Sequence, residues 1–269
     1  MIDQAEYWRS IAERWRHIGP PLRPSEQDLF AFQSALRASE VRTALILGVT
    51  PELERLNFPS SSTVYALDRT EGMIRAIWPG SLKRCVHGSW CEMPFAENVF
   101  DVIFCDGGFH LVERPLAQRN LVSQLARCLK PDGAFVLRLF SQPSTTETSQ
   151  EVLEDLRSGR ISTMNHLKMR LGMAMQRSSE EGVALREIWS TVDNAFPELT
   201  TLAQMLNWPL EQVVALNSYR DAPNRYYFST TEETIAAICG VGEFRVESIS
   251  VPTYALGDRC PTIRFRRIR

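Results

Sequence analysis

The chain has 269 residues, with 30 Lys and Arg against 32 Asp and Glu and a formal net charge of −2 with histidines neutral. Hydrophobic residues make up 44% and charged residues 23%, a globular composition that excludes wholesale disorder and fibrous architecture. The near-zero charge argues against a sequence-independent grip on nucleic acid, no run approaches the roughly 20 apolar residues of a membrane span, and Met1–Ser10 is too polar for a signal peptide.

Tyr7, Trp8, Ile11, Ala12 and Trp15 recur at helical spacing and predict an amphipathic helix over Gln4–His17, ended by Pro20-Pro21. Ser25 and Asp28 read as the N-cap and acidic first turn of a second helix running to about Ala38. From residue 41, apolar runs of strand length alternate with helices or turns. The strands are Thr43–Leu47, Thr63–Leu67, Lys83–Val86, Asp101–Cys105 and Ala134–Phe140. Between them lie a turn at Pro51-Glu52 and helices near Glu71–Trp78 and Pro115–Leu129, the last closed by Lys130-Pro-Asp-Gly133. This alternation predicts an α/β fold, a doubly wound and mostly parallel sheet with right-handed crossovers.

Residues 145–224 break the rhythm and read as a helical insertion, with helices over Ser149–Leu156, Asn165–Gln176, Val183–Asn194, Leu199–Leu206 and Leu210–Leu216. Arg225–Phe228 is short and aromatic, and Thr231–Cys239 is helical. Phe244–Tyr254 and Pro261–Ile268 form an antiparallel pair across Gly257-Asp258. The expected organisation is therefore 1–40, N-terminal helices; 41–144 and 225–269, the sheet core; and 145–224, a lid.

The six cysteines are scattered through core segments and read as reduced thiols of a cytoplasmic protein. Cys85, His87 and Cys91 lack a second ligand pair at a known spacing, so no metal site is expected.

In an open parallel sheet, ligands bind beyond the carboxyl ends of the strands. The first strand is followed by Gly48-Val-Thr50-Pro-Glu52. The second ends at Asp68, twenty positions past Gly48, where a carboxylate suits two vicinal ribose hydroxyls. The third is followed by Gly88-Ser89-Trp90 and the fourth by Asp106-Gly107-Gly108-Phe109-His110. A dinucleotide is disfavoured, because Glu52 would meet a pyrophosphate at the helix N-terminus.

From Ala44 to about Phe140 these residues resemble the class I S-adenosylmethionine-dependent methyltransferases. The resemblance is carried by Ala44-Leu-Ile-Leu-Gly48, Ala66-Leu-Asp68 with Met73, and Gly88-Ser-Trp-Cys-Glu-Met-Pro-Phe95. It continues in Phe100-Asp-Val-Ile-Phe-Cys-Asp106 and Leu129-Lys-Pro-Asp-Gly-Ala-Phe-Val-Leu137. It implies a Rossmann-like seven-stranded sheet that binds S-adenosylmethionine and releases S-adenosylhomocysteine. The implied cofactor residues are Gly48, Thr50, Glu52, Asp68, Arg69, Met73, Ser89, Trp90, Asp106 and Gly107. The glycine loop departs from the family pattern: Ile46 stands where an acidic residue is usual, and Thr50 and Glu52 replace later glycines.

Three function classes follow. The first is methyl transfer to a nucleophilic O, N or C of a small or medium-sized acceptor. His110 and Tyr226 are then candidate catalytic groups, and Tyr219, Arg220, Arg225 and Tyr227 candidate acceptor contacts. The second is a non-catalytic methyltransferase-like binding protein, marked by the altered loop. The third is a nicotinamide-dependent oxidoreductase. Each residue also has a packing alternative: Asp68 as a helix cap, Trp90 as a core anchor, His110 as a structural histidine, and the tyrosines and arginines as contacts between lid and core.

Overall fold

A computed structural model describes residues 3–15, 18–37 and 40–268. Two helices, α1 (Gln4–Glu13) and α2 (Glu26–Arg37), precede the sheet. The core then runs β1 (Thr43–Leu47), α3 (Pro51–Glu54), β2 (Thr63–Asp68), α4 (Glu71–Ile77), β3 (Cys85–His87), β4 (Phe100–Asp106), α5 (Leu116–Cys128) and β5 (Leu129–Arg138). Five helices follow: α6 (Ser149–Arg157), α7 (Met164–Met175), α8 (Leu185–Ala195), α9 (Leu199–Leu206) and α10 (Leu210–Val214), with the two-residue strand β6 (Val183–Ala184) before α8. After a 3-10 turn at Ala215–Tyr219, the chain returns through β7 (Arg225–Tyr226), α11 (Thr231–Cys239), β8 (Phe244–Ser250) and β9 (Thr262–Arg267).

Seven strands form one sheet in the order β3-β2-β1-β4-β5-β9-β8. β1 to β5 are parallel, and β9 is antiparallel to both β5 and β8. This is the doubly wound sheet expected. It forms because β1 and β4 are apolar on both faces, as strands covered on both sides must be. Ala44, Ile46, Val102 and Phe104 pack with Phe32 of α2 and Ile74 of α4 on one face. Leu45, Leu47, Ile103 and Cys105 pack with Leu121 and Leu125 of α5 and Ile238 of α11 on the other.

The order reverses between β1 and β4, so the crevice opens above these two strands. α6–α10 surround a third core, built on Leu167, Leu171, Leu185 and Ile188, which also takes in Tyr7, Phe140, Phe228 and Cys260 from outside 145–224. The inserted helices therefore share a core with the N-terminal helix and the sheet ends rather than enclosing their own.

Several elements differ from expectation. α1 ends at Glu13, where Arg14 N donates to Ile11 O (3.1 Å) and tightens the last turn; residues 16–17 of the expected helix lie outside the described residues, as does Ala38 at the end of the second. Leu82–Arg84 wind into a 3-10 turn, so the third strand begins only at Cys85. Lys130–Gly133 is not a turn ahead of the fifth strand. Leu129 already pairs with Phe100, Asp132 takes φ 59°, and the register resumes at Ala134 beside Val102, so the segment is a bulge within β5. Val183-Ala184 pair antiparallel with Tyr226 and Arg225, which delays helix α8 to Leu185. β8 stops at Ser250, two residues before Pro252, which has no N–H for a ladder.

All six cysteines are free thiols. Among the described residues no helix is long and apolar enough to cross a membrane, and no cluster of three His, Cys, Asp or Glu side chains could hold a metal ion.

Candidate active site

The C-terminal ends of β1, β2 and β4 open into a cavity of about 840 Å³, closed above by α1, α7 and the segment 212–227. Its floor is built by the loops after three strands. Gly48, at φ 92°, donates its N–H to Leu67 O (2.8 Å). Trp90 Nε1 donates to the same carbonyl (2.7 Å), which lays the indole between Gly48 and Gly108. A Cβ on Gly48 would stand 3.6 Å from Trp90 Cζ2 and 3.9 Å from Asp68 Oδ2, so glycine, indole and carboxylate meet at one point.

Asp68 Oδ1 accepts from Thr70 N (2.7 Å). Thr70, not Asp68, is the N-cap of α4, so the carboxylate does not serve as the helix cap. Burial pushes the Asp68 carboxyl up to about 6, opposed by its bond from Thr70 and the charge of Arg69. Thr50, Arg69, Met73, Ser89, Trp90, Asp106 and Gly107 line the same cavity.

Glu52 does not. Its carboxylate is ion-paired with Arg23, whose guanidinium also donates to Trp15 O (3.2 Å) and Ile18 O (3.3 Å). It fastens α3 to the segment after α1 and stands outside the lining. Asp106 lines the cavity but is committed at Oδ1, which accepts from Arg138 Nε at 2.5 Å. Arg138 is fully buried, donates from Nη1 to Pro21 O (2.8 Å) and lies 3.6 Å from Asp28.

The upper wall carries the remaining candidates. His110 is stacked on Phe228 (5.3 Å between ring centres) and meets the edge of Tyr226 (4.6 Å). Burial and the Arg138 charge push it down to about 3. The ring is a neutral imidazole in which taking a proton is unfavourable, so it acts as a hydrogen-bonding group rather than a strong base; Nδ1 has no partner. Tyr226 is bonded to Tyr219 (3.0 Å), and the Tyr7 phenol stands close enough for the two to influence each other's ionisation. Burial raises all three phenols above the ordinary value.

Arg225 and Tyr227 line the cavity; Arg225 is held by Glu181 O (2.9 Å) and Gly182 O (3.1 Å). Arg220 lies outside the lining, 4.7 Å over the Trp189 ring.

Two groups escaped sequence reasoning. Lys168 is buried on α7 and lines the cavity. A signal existed: residues 164, 167, 168 and 171 form the buried stripe of that helix, and a lysine interrupts it. Arg138 likewise interrupts the apolar run Phe135–Phe140.

Residues 48–137 match a family model described as "Methyltransferase domain". That stretch is about a third of the chain and is similar to a methyltransferase domain. A demethylmenaquinone methyltransferase from Bacillus cereus is 30% identical over 120 residues, covering 45% of this chain and 44% of that protein. The chain thus spans about half the length of the curated relatives it matches. Among solved structures, one titled as a putative zinc-dependent alcohol dehydrogenase from Rhodobacter sphaeroides superposes with a TM-score of 0.61 at 14% identity, covering 98% of this chain and 97% of that one. The 1,6-didemethyltoxoflavin N1-methyltransferase of Burkholderia thailandensis, solved with 1,6-didemethyltoxoflavin and S-adenosylhomocysteine, superposes with a TM-score of 0.52 at 13% identity, covering 98% and 89%. At such identities the structural likeness concerns the fold alone. The matched stretch runs from Gly48 to Leu137 in β5 and so includes Asp68, Trp90 and Asp106 from the cavity floor.

Proposed function

We propose that the protein transfers a methyl group from S-adenosylmethionine to a nucleophilic O, N or C of a small or medium-sized acceptor. The observation that carries this reading is the meeting of Gly48, Asp68 and Trp90 at the crevice of a stretch similar to a methyltransferase domain, on the floor of a cavity large enough for a nucleoside and a second small molecule. The residues present fit the group. Asp68 Oδ2 lies 3.9 Å from where a Gly48 Cβ would stand, on the cavity side of the turn, where it can accept from ribose hydroxyls. Trp90, its Nε1 held by Leu67 O, offers the rest of its indole to an adenine, and Ser89 a hydroxyl beside it. The Asp68 carboxylate gives the floor an acidic character suited to a ligand bearing an ammonium and a sulfonium.

When bound, S-adenosylmethionine supplies a methyl group on an activated sulfonium, open to in-line displacement. The chain's own work is alignment and exclusion of water. Trp8, Trp15 and α7 cover the cavity, and Tyr7, Tyr226 and Tyr219 offer hydroxyls that stay protonated and can orient an acceptor. His110 lines the same space as a neutral ring. We place the protein in the cytoplasm, a reading supported by its six free thiols.

Titration calorimetry with S-adenosylmethionine and S-adenosylhomocysteine tests the proposal. Micromolar binding of both is expected. No binding in that range would favour the second reading, a non-catalytic relative, which the loss of loop glycines at Thr50 and Glu52 keeps in view.

A further inference from the structure

The upper half of the cavity has a charge pattern that the cofactor does not explain. Its lid side contributes charged residues of one sign: Arg14 just after α1, Lys168 of α7 and Arg225 of β7. The acidic lining residues, Asp68, Asp106 and Glu113, come from the ends of β2 and β4 and the loop beyond β4, with Arg69 the one floor cation among the described lining residues, beside Asp68.

Lys168 is the most deeply placed of these cations. Among the described residues its Nζ donates only to Ala215 O (3.3 Å), and it lies 4.7 Å over the Tyr219 ring. Among the described residues no carboxylate pairs with it, and Arg14, another cation, is the charge it feels. Burial and Arg14 together push its ammonium down to about 7. A buried lysine without a counterion is costly unless a ligand supplies the anion. Two further buried atoms in the same lining, His110 Nδ1 and Asn224 Oδ1, have no protein partner. The walls between them are aromatic: Trp8, Phe140, Tyr219 and Tyr226.

Resting on the methyltransferase reading, we propose that the acceptor is a small aromatic carboxylic acid, its carboxylate seated on Lys168 Nζ and its ring against Tyr219 and Tyr226. A second polar substituent then faces His110 Nδ1 and Asn224 Oδ1, which would otherwise stay unsatisfied. Lysine suits this role as a compact point charge, reachable from one side of a narrow site. The acid end and the cationic cofactor meet opposite walls, so the two ligands do not compete for charge.

The test uses the full chain saturated with S-adenosylhomocysteine and a panel of hydroxy- and aminobenzoates, each beside its carboxamide, read by thermal shift. Acids are expected to raise the melting temperature and the matched amides to leave it unchanged. Lys168→Met should abolish the response to acids while keeping the response to S-adenosylhomocysteine, and Lys168→Arg should keep part of both. A panel in which no acid binds, in which amides match acids, or whose hits survive Lys168→Met overturns the proposal. If Lys168→Met does not fold, the wild type decides: bound acid should protect Lys168 from trace acetic anhydride, read by peptide mass spectrometry, and unprotected labelling in the presence of the acid overturns it. Loss of the S-adenosylhomocysteine response alone would strike the methyltransferase reading. The acid panel and the labelling, repeated without it, still judge Lys168.

Discussion

Asp68 has one oxygen tied to Thr70 N and the other facing the turn at Gly48. Asp68→Ala should weaken S-adenosylhomocysteine binding by about 1–3 kcal/mol, the usual cost of losing hydrogen bonds to a charged group; unchanged affinity in a folded variant removes the ribose assignment. The same carboxyl sets a pH dependence. Its value of about 6 in the empty protein lies above the ordinary 3.8, so protons are held until the pH passes 6. Ribose hydroxyls donate to the ionised form. Binding must therefore expel a proton below pH 6, and affinity should fall towards about tenfold per pH unit there while staying flat above pH 7. Calorimetry at pH 5 and pH 7.5 reads this directly, and Asp68→Asn should lose the dependence. Arg138 poses a stability question. It neutralises Asp106 and lies beside Asp28 with no access to water. Arg138→Met should cost about 3–5 kcal/mol in urea unfolding, because it strands buried carboxylates.

Elements were legible in the sequence where their own residues decide them. β1 and β4 are runs whose apolar character is explained by burial on both faces, β2 is buried only at Ala66-Leu67, and α6 begins at a capping box of Thr148 and Glu151 that is written in four residues. Elements decided by distant partners were not. Val183-Ala184 are a strand only because Arg225-Tyr226 come alongside from some forty residues away. Glu52 reads as a loop acid free to meet a ligand until Arg23, 29 residues upstream, claims it. The small β6–β7 ladder holds Tyr226 at the cavity, and Gly182 controls its approach. At φ 64°, a Cβ there would stand 2.4 Å from Tyr226 O. Gly182→Ala should therefore destabilise the fold by at least about 1 kcal/mol and displace Tyr226 from Tyr219. Urea unfolding measures the first effect, and a Tyr226→Phe background in which Gly182→Ala costs as much would locate the strain in the backbone rather than in the hydroxyl pair.

At the scale of the whole molecule, the cavity belongs to no single stretch of chain. Tyr7, Trp8 and Trp15 come from the first fifteen residues, Gly48, Asp68, Trp90 and Asp106 from the sheet, and Lys168, Tyr219 and Tyr226 from beyond residue 160. This is why the floor was readable as a set of strand ends while the roof was readable only in part: Tyr219, Arg225, Tyr226 and Tyr227 were named from the aromatic segment, whereas Lys168 and Arg14 enter only through the way α1 and α7 settle over the sheet. The shared core of Tyr7, Phe140, Leu167 and Phe228 ties these parts together. A ligand held by floor and roof should consequently stabilise all three parts as one unit. At a hundredfold excess over its dissociation constant, S-adenosylhomocysteine contributes about 2.7 kcal/mol to global stability. Hydrogen exchange resolved by peptide should show where that energy is felt. Slower exchange is expected in the loops after β1, β2 and β4, and also in α1 and in α7, with Trp8, Trp15 and Trp90 changing their fluorescence. Protection confined to the sheet loops would mean that the cofactor does not engage the roof, leaving α1 and α7 to respond only when an acceptor enters beneath Lys168.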